Sequence, residues 1–174
     1  GSVAAKEICY FTGAKMPTLQ ALEKKGYVEL SERPVLRCRE IKPANIQRPL
    51  VLNEGQSRCF EGVKGQMESQ KPGIALLHGV TGSGKTSVYI RLIQQCLDSG
   101  RSAMLLVPEI SLTPQLLGLL AAWFGQRVAV LHSSLGVGER YDQWKRVKNG
   151  EADVVVGTRS AVFAPCENLG VLIL

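Results

Sequence analysis

The sequence predicts an α/β domain built on a mostly parallel β-sheet, and three observations lead to that class. From about residue 71, short aliphatic runs alternate with amphipathic stretches of helical length, the rhythm of strands joined by crossover helices. The runs are nearly continuous, as expected for strands covered on both faces. A chain of 174 residues that is 45% hydrophobic is long enough to bury a core of this kind.

Five strands and four helices are predicted from about residue 56 onward. The strands are expected at residues 74–78, 103–107, 128–131, 153–156 and 171–174. Helices are expected at about residues 56–68 and at 85–97, 113–124 and 138–148. Thr113-Pro114 is a good helix start, and Asn149-Gly150 is typical of a helix end followed by a turn.

The first part of the chain has a different texture. A short helix at about residues 17–25 is stopped by Gly26, and two apolar stretches at 27–30 and 35–41 follow around a polar turn. A helix followed by a hairpin indicates a partial winged-helix unit over residues 3–41, whose opening helices would lie upstream of Val3. Residues 42–52, with two prolines, are interpreted as a linker, and residues 53–174 as the main domain. Gly1 and Ser2 are interpreted as the scar of a cleaved tag.

The charge and the cysteines exclude some classes of protein. The net charge is +6, but lysine and arginine exceed the acidic residues by the same margin in residues 1–70 (11 against 8) and in 71–174 (10 against 7). This diffuse excess suits a polyanionic partner without requiring one. The five cysteines form no Cys-x-x-Cys pair, so we expect no zinc in this chain and reduced thiols that act as small buried apolar residues. Because the aliphatic runs are far shorter than a membrane span, a soluble protein is expected, and an odd number of cysteines without a secretion signal indicates the cytoplasm.

A glycine-rich loop follows the first predicted strand and matches the phosphate-binding pattern G-x-x-x-x-G-K-[ST]. Its residues are Gly79, Val80, Thr81, Gly82, Ser83, Gly84, Lys85 and Thr86. Glycines let backbone N–H groups turn toward a phosphate, Lys85 reaches the β and γ oxygens, and Thr86 offers its hydroxyl to Mg²⁺. Because an aliphatic run precedes the loop and an amphipathic stretch follows it, the pattern predicts nucleotide binding.

Polar residues follow the next three predicted strands at their ends. Pro108, Glu109, Thr113 and Gln115 come after the second strand, a His132-Ser133-Ser134 run after the third, and Thr158, Arg159 and Ser160 after the fourth. In an open parallel sheet this edge is where ligands bind, so these loops are expected to track a sugar-phosphate backbone. For Arg159 an internal ion pair is the alternative.

With these motifs the chain resembles the primosomal replication-restart helicases of helicase superfamily 2. The resemblance covers about residues 50–174. It depends on the phosphate loop with the preceding Leu-Leu-His, on Val-Pro-Glu-Ile-x-Leu-Thr-Pro-Gln, Val-Leu-His-Ser and Gly-Thr-Arg-Ser, and on Glu139-Arg140, Trp144, the 148–152 run and Asn168-Leu169-Gly170-Val171. Ser87 stands where a glutamate is expected in the family.

The resemblance implies a RecA-like P-loop NTPase lobe, preceded by the winged-helix remnant. It implies ATP-dependent 3′-to-5′ unwinding at stalled forks, with primosome assembly, and ATP and Mg²⁺ as cofactors. Lys85 and Thr86 would be catalytic, Thr86 would hold Mg²⁺ through the nucleotide, and Gln56 would read adenine, unless it is merely a helix-start glutamine. Forked and single-stranded DNA, the primosome and single-strand-binding proteins are the implied partners of a monomer. Zinc is expected only in parts of such a protein outside this chain.

One expectation concerns ATP hydrolysis, and two alternatives for the function stay open. The chain stops at Leu174, one residue before the family's Asp-Glu-Glu-His acids would begin, so we expect the 174 residues alone not to hydrolyse ATP. The alternatives for function are another superfamily 2 DNA translocase, or a non-catalytic module that binds DNA or a partner and carries a vestigial phosphate loop.

Overall fold

The computed structural model describes residues 3–31, 41–46, 50–69 and 71–174, and it divides into two compact units, Gly1–Val35 and Leu36–Leu174. The first unit contains helix α1 (Ala5–Thr12), which the sequence analysis did not anticipate, and α2 (Met16–Lys24). Its buried apolar residue is Leu19. Residues 27–30 form no strand, and residues 32–40 lie outside the described residues, so the hairpin of a winged helix stays a prediction.

The second unit is an α/β domain on a four-stranded parallel sheet. Its helices are α3 (Glu54–Glu68), α4 (Lys85–Asp98), α5 (Pro114–Phe124) and α6 (Val137–Lys148). Its strands are β1 (Ser102–Leu106), β2 (Val128–Leu131), β3 (Val154–Gly157) and β4 (Leu169–Ile173). The strand order is β2-β3-β1-β4, and every neighbouring pair is parallel. The predicted fold class is therefore confirmed.

Helices cover both faces of this sheet. Val154, Val155 and Val156 of β3 are all fully buried, although successive side chains of a strand point to opposite faces. On one face, β1 and β3 pack with the apolar stripe of α4 and with residues of α3 and α5, such as Phe60 and Leu120. On the other, Val147 of α6 joins a smaller cluster. Complete burial of each aliphatic side chain contributes about 1.5–3 kcal/mol, so the near-continuous runs are explained by their two covered faces.

The helix boundaries follow from local signals in the sequence. Asn53 and Gln56 form a capping box at the start of α3, in which each side chain bonds the other residue's backbone N–H. Thr113 caps α5 by accepting a hydrogen bond from the backbone of Leu116 at 3.3 Å. Residues 42–46 precede these helices, and the Ala44 backbone N–H donates to the carbonyl of Gly118 in α5 at 2.8 Å.

The prediction of a strand at residues 74–78 is wrong in this structure. Residues 72–80 form no ladder with any described strand, and the side chains of Ile74 and Leu76 are 97% and 91% exposed. An aliphatic run favours extended backbone, but a strand also needs a partner whose N–H and C=O groups face it. No described strand supplies such a partner to residues 72–80.

The outer edge of β2 is covered by side chains instead of a strand. The N–H groups of Asp153 and Thr158 donate to the carbonyls of residues 127 and 131. Because alternate residues of a strand turn their backbone groups to opposite sides, the N–H and C=O groups of Val128 and Val130 point away from β3. Buried Arg146 of α6 donates to the carbonyl of Val128 at 3.2 Å and to that of Gln126. Gln143 accepts from the N–H of Val130 at 3.3 Å and from Arg146 at 3.0 Å.

The expectation that every cysteine acts as a small buried apolar residue is also wrong. Cys59 on α3 is exposed, Cys9 on α1 is half-buried, and Cys166, in a loop, is half-buried against the smaller apolar cluster, because these helix and loop surfaces face solvent on one side. Cys38 lies outside the described residues. Cys96 is fully buried, and its burial raises the pKa of its thiol, an effect that nearby Arg101 partly offsets. Across the described ranges, no helix has the length and apolar character that crossing a membrane requires.

Candidate nucleotide and nucleic-acid site

The phosphate loop lies directly before α4, at the edge of the sheet where the strands end. Helix α4 leads through a short turn into β1, so it runs back along the sheet and its N-terminus lies at the carboxyl ends of the strands. The helix presents free backbone N–H groups and the positive end of its dipole there. The loops that follow β1, β2 and β3 reach the same edge because the strands are parallel.

Glycine is required at the end of this loop. Gly84 has a φ of 80°, in the left-handed region, and it is the residue that precedes α4. A side chain at Gly84 would also collide with the side-chain amide of Gln56. At the other end, a Cβ on Gly79 would lie 2.8 Å from the hydroxyl of Ser83, so the two ends of the loop approach each other closely.

Lys85 folds back over this loop. Its ammonium donates hydrogen bonds to the carbonyls of Gly79 at 2.8 Å and Val80 at 2.9 Å. A cation and a helix N-terminus therefore meet at the glycine loop, a combination suited to binding a polyphosphate. Thr86 follows Lys85 in the sequence and is half-buried in the first turn of α4. Thr81 and Gly82 form the exposed turn of the loop.

Gln56 contacts the loop directly, although it is 27 residues away in sequence. Its side-chain amide donates to the carbonyl of Ser83 at 3.0 Å, while its Oε1 accepts from the N–H of Asn53 at 3.0 Å. Gln56 is therefore the helix-start glutamine that the sequence analysis gave as one interpretation, and it also touches the phosphate loop. An adenine-reading role for Gln56 stays a prediction, and it would require exchange of at least one of these bonds.

The loop after β1 begins with exposed Pro108 and a short 3₁₀ helix, Glu109–Ser111. The Glu109 carboxylate accepts a hydrogen bond from the hydroxyl of Ser133, in the loop after β2. Thr113 uses its oxygen to cap α5, and Gln115 is exposed in the first turn of that helix. The structure therefore brings the first two predicted loops into contact.

Arg140 is a residue that the pattern of polar loops did not single out. It lies in α6 and donates to the carbonyls of Ser133 at 3.3 Å and Leu135 at 3.4 Å, which fixes the loop after β2 from the helix side. In sequence it appeared only within the Glu-Arg pair of the family resemblance. No local pattern indicates that an arginine will fold back onto the loop before its own helix.

The loop after β3 separates its three predicted residues. Thr158 is buried, and its N–H donates to the carbonyl of Leu131 at 3.2 Å. Arg159 and Ser160 are exposed at the start of a 3₁₀ helix, Arg159–Phe163. Within the part of the chain that the structure describes, Arg159 takes part in no ion pair, so its guanidinium is available to an anion.

Comparison with known proteins agrees with the motifs. The family model of the DEAD/DEAH box helicases matches residues 53–174. The replication restart protein PriA of Bacillus subtilis is 42% identical over 173 residues, 99% of this chain and 22% of that protein. PriA of Synechocystis is 45% identical over 157 residues, 90% of this chain and 18% of that protein. The chain therefore spans about a fifth of the length of these relatives.

A solved structure is more distant. The C-terminal domain of the Sulfolobus solfataricus SWI2/SNF2 ATPase shares 14% identity with this chain at a TM-score of 0.32, over 62% of this chain and 59% of that one. The family match covers the whole phosphate loop and all the polar loops at the carboxyl edge of the sheet, and the resemblance to replication-restart helicases is confirmed. The chain belongs to the DEAD/DEAH box helicase family.

Proposed function

We propose that this chain is the nucleotide-binding part of an ATP-dependent DNA helicase of replication restart. The observation that carries the proposal is the Lys85 ammonium, held over the glycine loop at the N-terminus of α4. A nucleotide's phosphates would take the place of the Gly79 and Val80 carbonyls as its partners. The intact Lys85-Thr86 pair argues against a non-catalytic module that binds DNA or a partner and carries a vestigial phosphate loop.

The residues that would hold Mg²⁺–ATP are the backbone of residues 79–84, Lys85 and Thr86. The bound nucleotide supplies the free energy of phosphoanhydride hydrolysis. Lys85 neutralises the charge of the β and γ oxygens, and the Thr86 hydroxyl is a ligand suited to Mg²⁺. The Gln56 side chain is hydrogen-bonded to the carbonyl of Ser83, so a change in the loop on nucleotide binding would alter the hydrogen bonds at the start of α3.

Single-stranded DNA is the proposed partner at the carboxyl edge of the sheet. Exposed Arg159 and Ser160 offer a guanidinium and a hydroxyl to a phosphate, and the linked loops of Glu109 and Ser133 lie at the same edge. The 3′-to-5′ polarity, the action at forks, primosome assembly, the single-strand-binding partners and the monomeric state belong to the proposal. Their support is the similarity to proteins named for replication restart.

Replacement of Lys85 tests the proposal in the full-length protein. The change Lys85→Ala removes the cation that faces the phosphates, and we expect DNA-stimulated ATP hydrolysis to fall by at least about 100-fold. Lys71→Ala, an exposed lysine outside the loop, is the matched control and should keep full activity. A Lys85→Ala protein that hydrolyses ATP at the normal rate, or a wild-type protein that neither hydrolyses ATP nor unwinds forked DNA, would refute the proposal.

The 174-residue chain itself allows a narrower measurement. Its predicted failure to hydrolyse ATP is measured by phosphate release in the presence of single-stranded DNA. Hydrolysis that Lys85→Ala abolishes would show that this prediction is wrong, while the assignment of the phosphate loop would stand.

A further inference from the structure

The 3₁₀ helix Arg159–Phe163 presents two outward-facing pairs of side chains. Residues three apart are eclipsed in a 3₁₀ helix, so Ser160 lies beside Phe163, and Arg159 beside Val162. Ala161, between them, is fully buried. The Phe163 ring is 83% exposed on the same face of the turn as the Ser160 hydroxyl.

This turn is tied to the end of the sheet. The Ala161 N–H donates to the carbonyl of Thr158 at 2.8 Å, and the Ala164 N–H donates to the carbonyl of Ala161 at 3.0 Å. A Cβ on Gly157 would lie only 2.6 Å from the Cβ of Ala161, so the turn packs against the last residue of β3 at a distance that only glycine permits. Phe163 is therefore held out into solvent by a fixed backbone.

The neighbours of Phe163 indicate what its ring could contact. Beside the ring, the same turn presents the guanidinium of Arg159 and the hydroxyl of Ser160. Single-stranded DNA carries both complements, a phosphate for the polar groups and a base with an exposed π-face for the ring. Duplex DNA keeps its bases stacked on one another, so a base face reaches this ring only if a base step is first unstacked.

We propose that Phe163 stacks on a base of single-stranded DNA while Arg159 and Ser160 hold its backbone. The proposal rests on the DNA-binding function proposed above. It adds Phe163 to the binding residues. Because every base has a π-face, stacking on Phe163 would bind the strand whatever its sequence. Each base stacked on an aromatic side chain strengthens the binding of single-stranded DNA enough to be measured by alanine substitution.

The test measures binding of a fluorescein-labelled single-stranded oligonucleotide to the full-length protein by anisotropy, over a series of salt concentrations. We expect Phe163→Ala to weaken binding by about 5- to 150-fold, corresponding to about 1–3 kcal/mol, with an unchanged slope against salt. Phe163→Trp should keep the affinity and show quenching of its indole fluorescence by DNA, whereas Phe163→Leu should bind as weakly as Phe163→Ala.

Two further variants make the test specific. Phe11→Ala removes a phenylalanine of α1 that is equally exposed, at 82%, and should leave the affinity unchanged. Arg159→Gln should weaken binding and reduce the salt slope by about one, as expected for a phosphate contact.

The outcomes separate this proposal from the proposed function. If Arg159→Gln weakens binding but Phe163→Ala does not, stacking is overturned and the function stands. Full rescue by Phe163→Leu, or an equal loss of affinity for duplex DNA, would also overturn stacking, since each indicates an apolar contact other than a base face. If the wild-type protein binds no single-stranded DNA, both proposals fail together.

Discussion

The two outer edges of the sheet are closed in different ways. At β2, the side chains of Arg146 and Gln143 in α6 form hydrogen bonds with the outward backbone groups that a fifth strand would otherwise pair with. At β4, the described residues provide no such cover, and Leu169 and Leu172 are 42% and 44% exposed. A strand edge with unpaired N–H and C=O groups can pair with another strand, whereas an edge whose groups are bonded by side chains has none left to offer. The difference teaches that strand order alone does not reveal which edge can accept a partner.

The largest effect is expected from breaking the closed edge. Arg146→Ala leaves the carbonyls of Gln126 and Val128 without their charged donor in a buried position, so we expect a loss of about 3 kcal/mol in the free energy of unfolding. Urea denaturation of the 174-residue chain measures it, with exposed Lys145→Ala as the control. Arg146→Lys should recover only part of the loss, because an ammonium lacks the fork that spans two carbonyls. A stable Arg146→Ala chain would mean that water or other groups satisfy this edge.

An intermediate effect is expected from Gln143. Gln143→Leu removes the acceptor for the Val130 N–H and for Arg146, and we expect a loss of about 1–2 kcal/mol. Because Gln143 and Arg146 are in contact, the double variant Gln143→Leu with Arg146→Ala should lose less than the sum of the single losses. Strict additivity in the same urea titration would contradict the picture of one joint cover over β2.

The smallest effect is expected at the open edge. Leu172→Thr and Leu76→Thr each change an exposed side chain, so each should alter the free energy of unfolding by less than about 0.5 kcal/mol. The control is Leu105→Thr, in the buried centre of β1, which should cost several times more. A loss of about 2 kcal/mol or more at both Leu76 and Leu172 would indicate that residues 74–78 form the strand that the sequence predicted and that this strand pairs with β4.

Local patterns in the sequence predicted most of the second unit correctly. The caps at Asn53 and Thr113, and the aliphatic runs of β1 to β4, depend on residues close together in the chain, so the helices and four strands were predicted to within a few residues. The run at 74–78 shows the limit of this approach. Its aliphatic composition favours extended backbone, but whether a ladder forms depends on a partner that the local sequence does not specify.

The candidate site shows the same division. The glycine loop and the polar ends of the strands could be predicted, since the chemistry of phosphate binding imposes its own spacing. Three contacts across the chain could not: Gln56 with Ser83, Glu109 with Ser133, and Arg140 with the loop before its helix. Each joins groups from different segments, and only packing determines which of them meet.

By itself, the sequence determined the class of sheet, the phosphate loop, the polar loops at the carboxyl edge and the family. These properties follow from periodicity and from motifs whose residues are neighbours in the chain. Tertiary structure alone decided how the two edges of the sheet differ, that Lys85 folds over its loop, and that Phe163 stands exposed on a turn fixed by Gly157 and Ala161. These features depend on distances between segments, which a linear pattern does not contain.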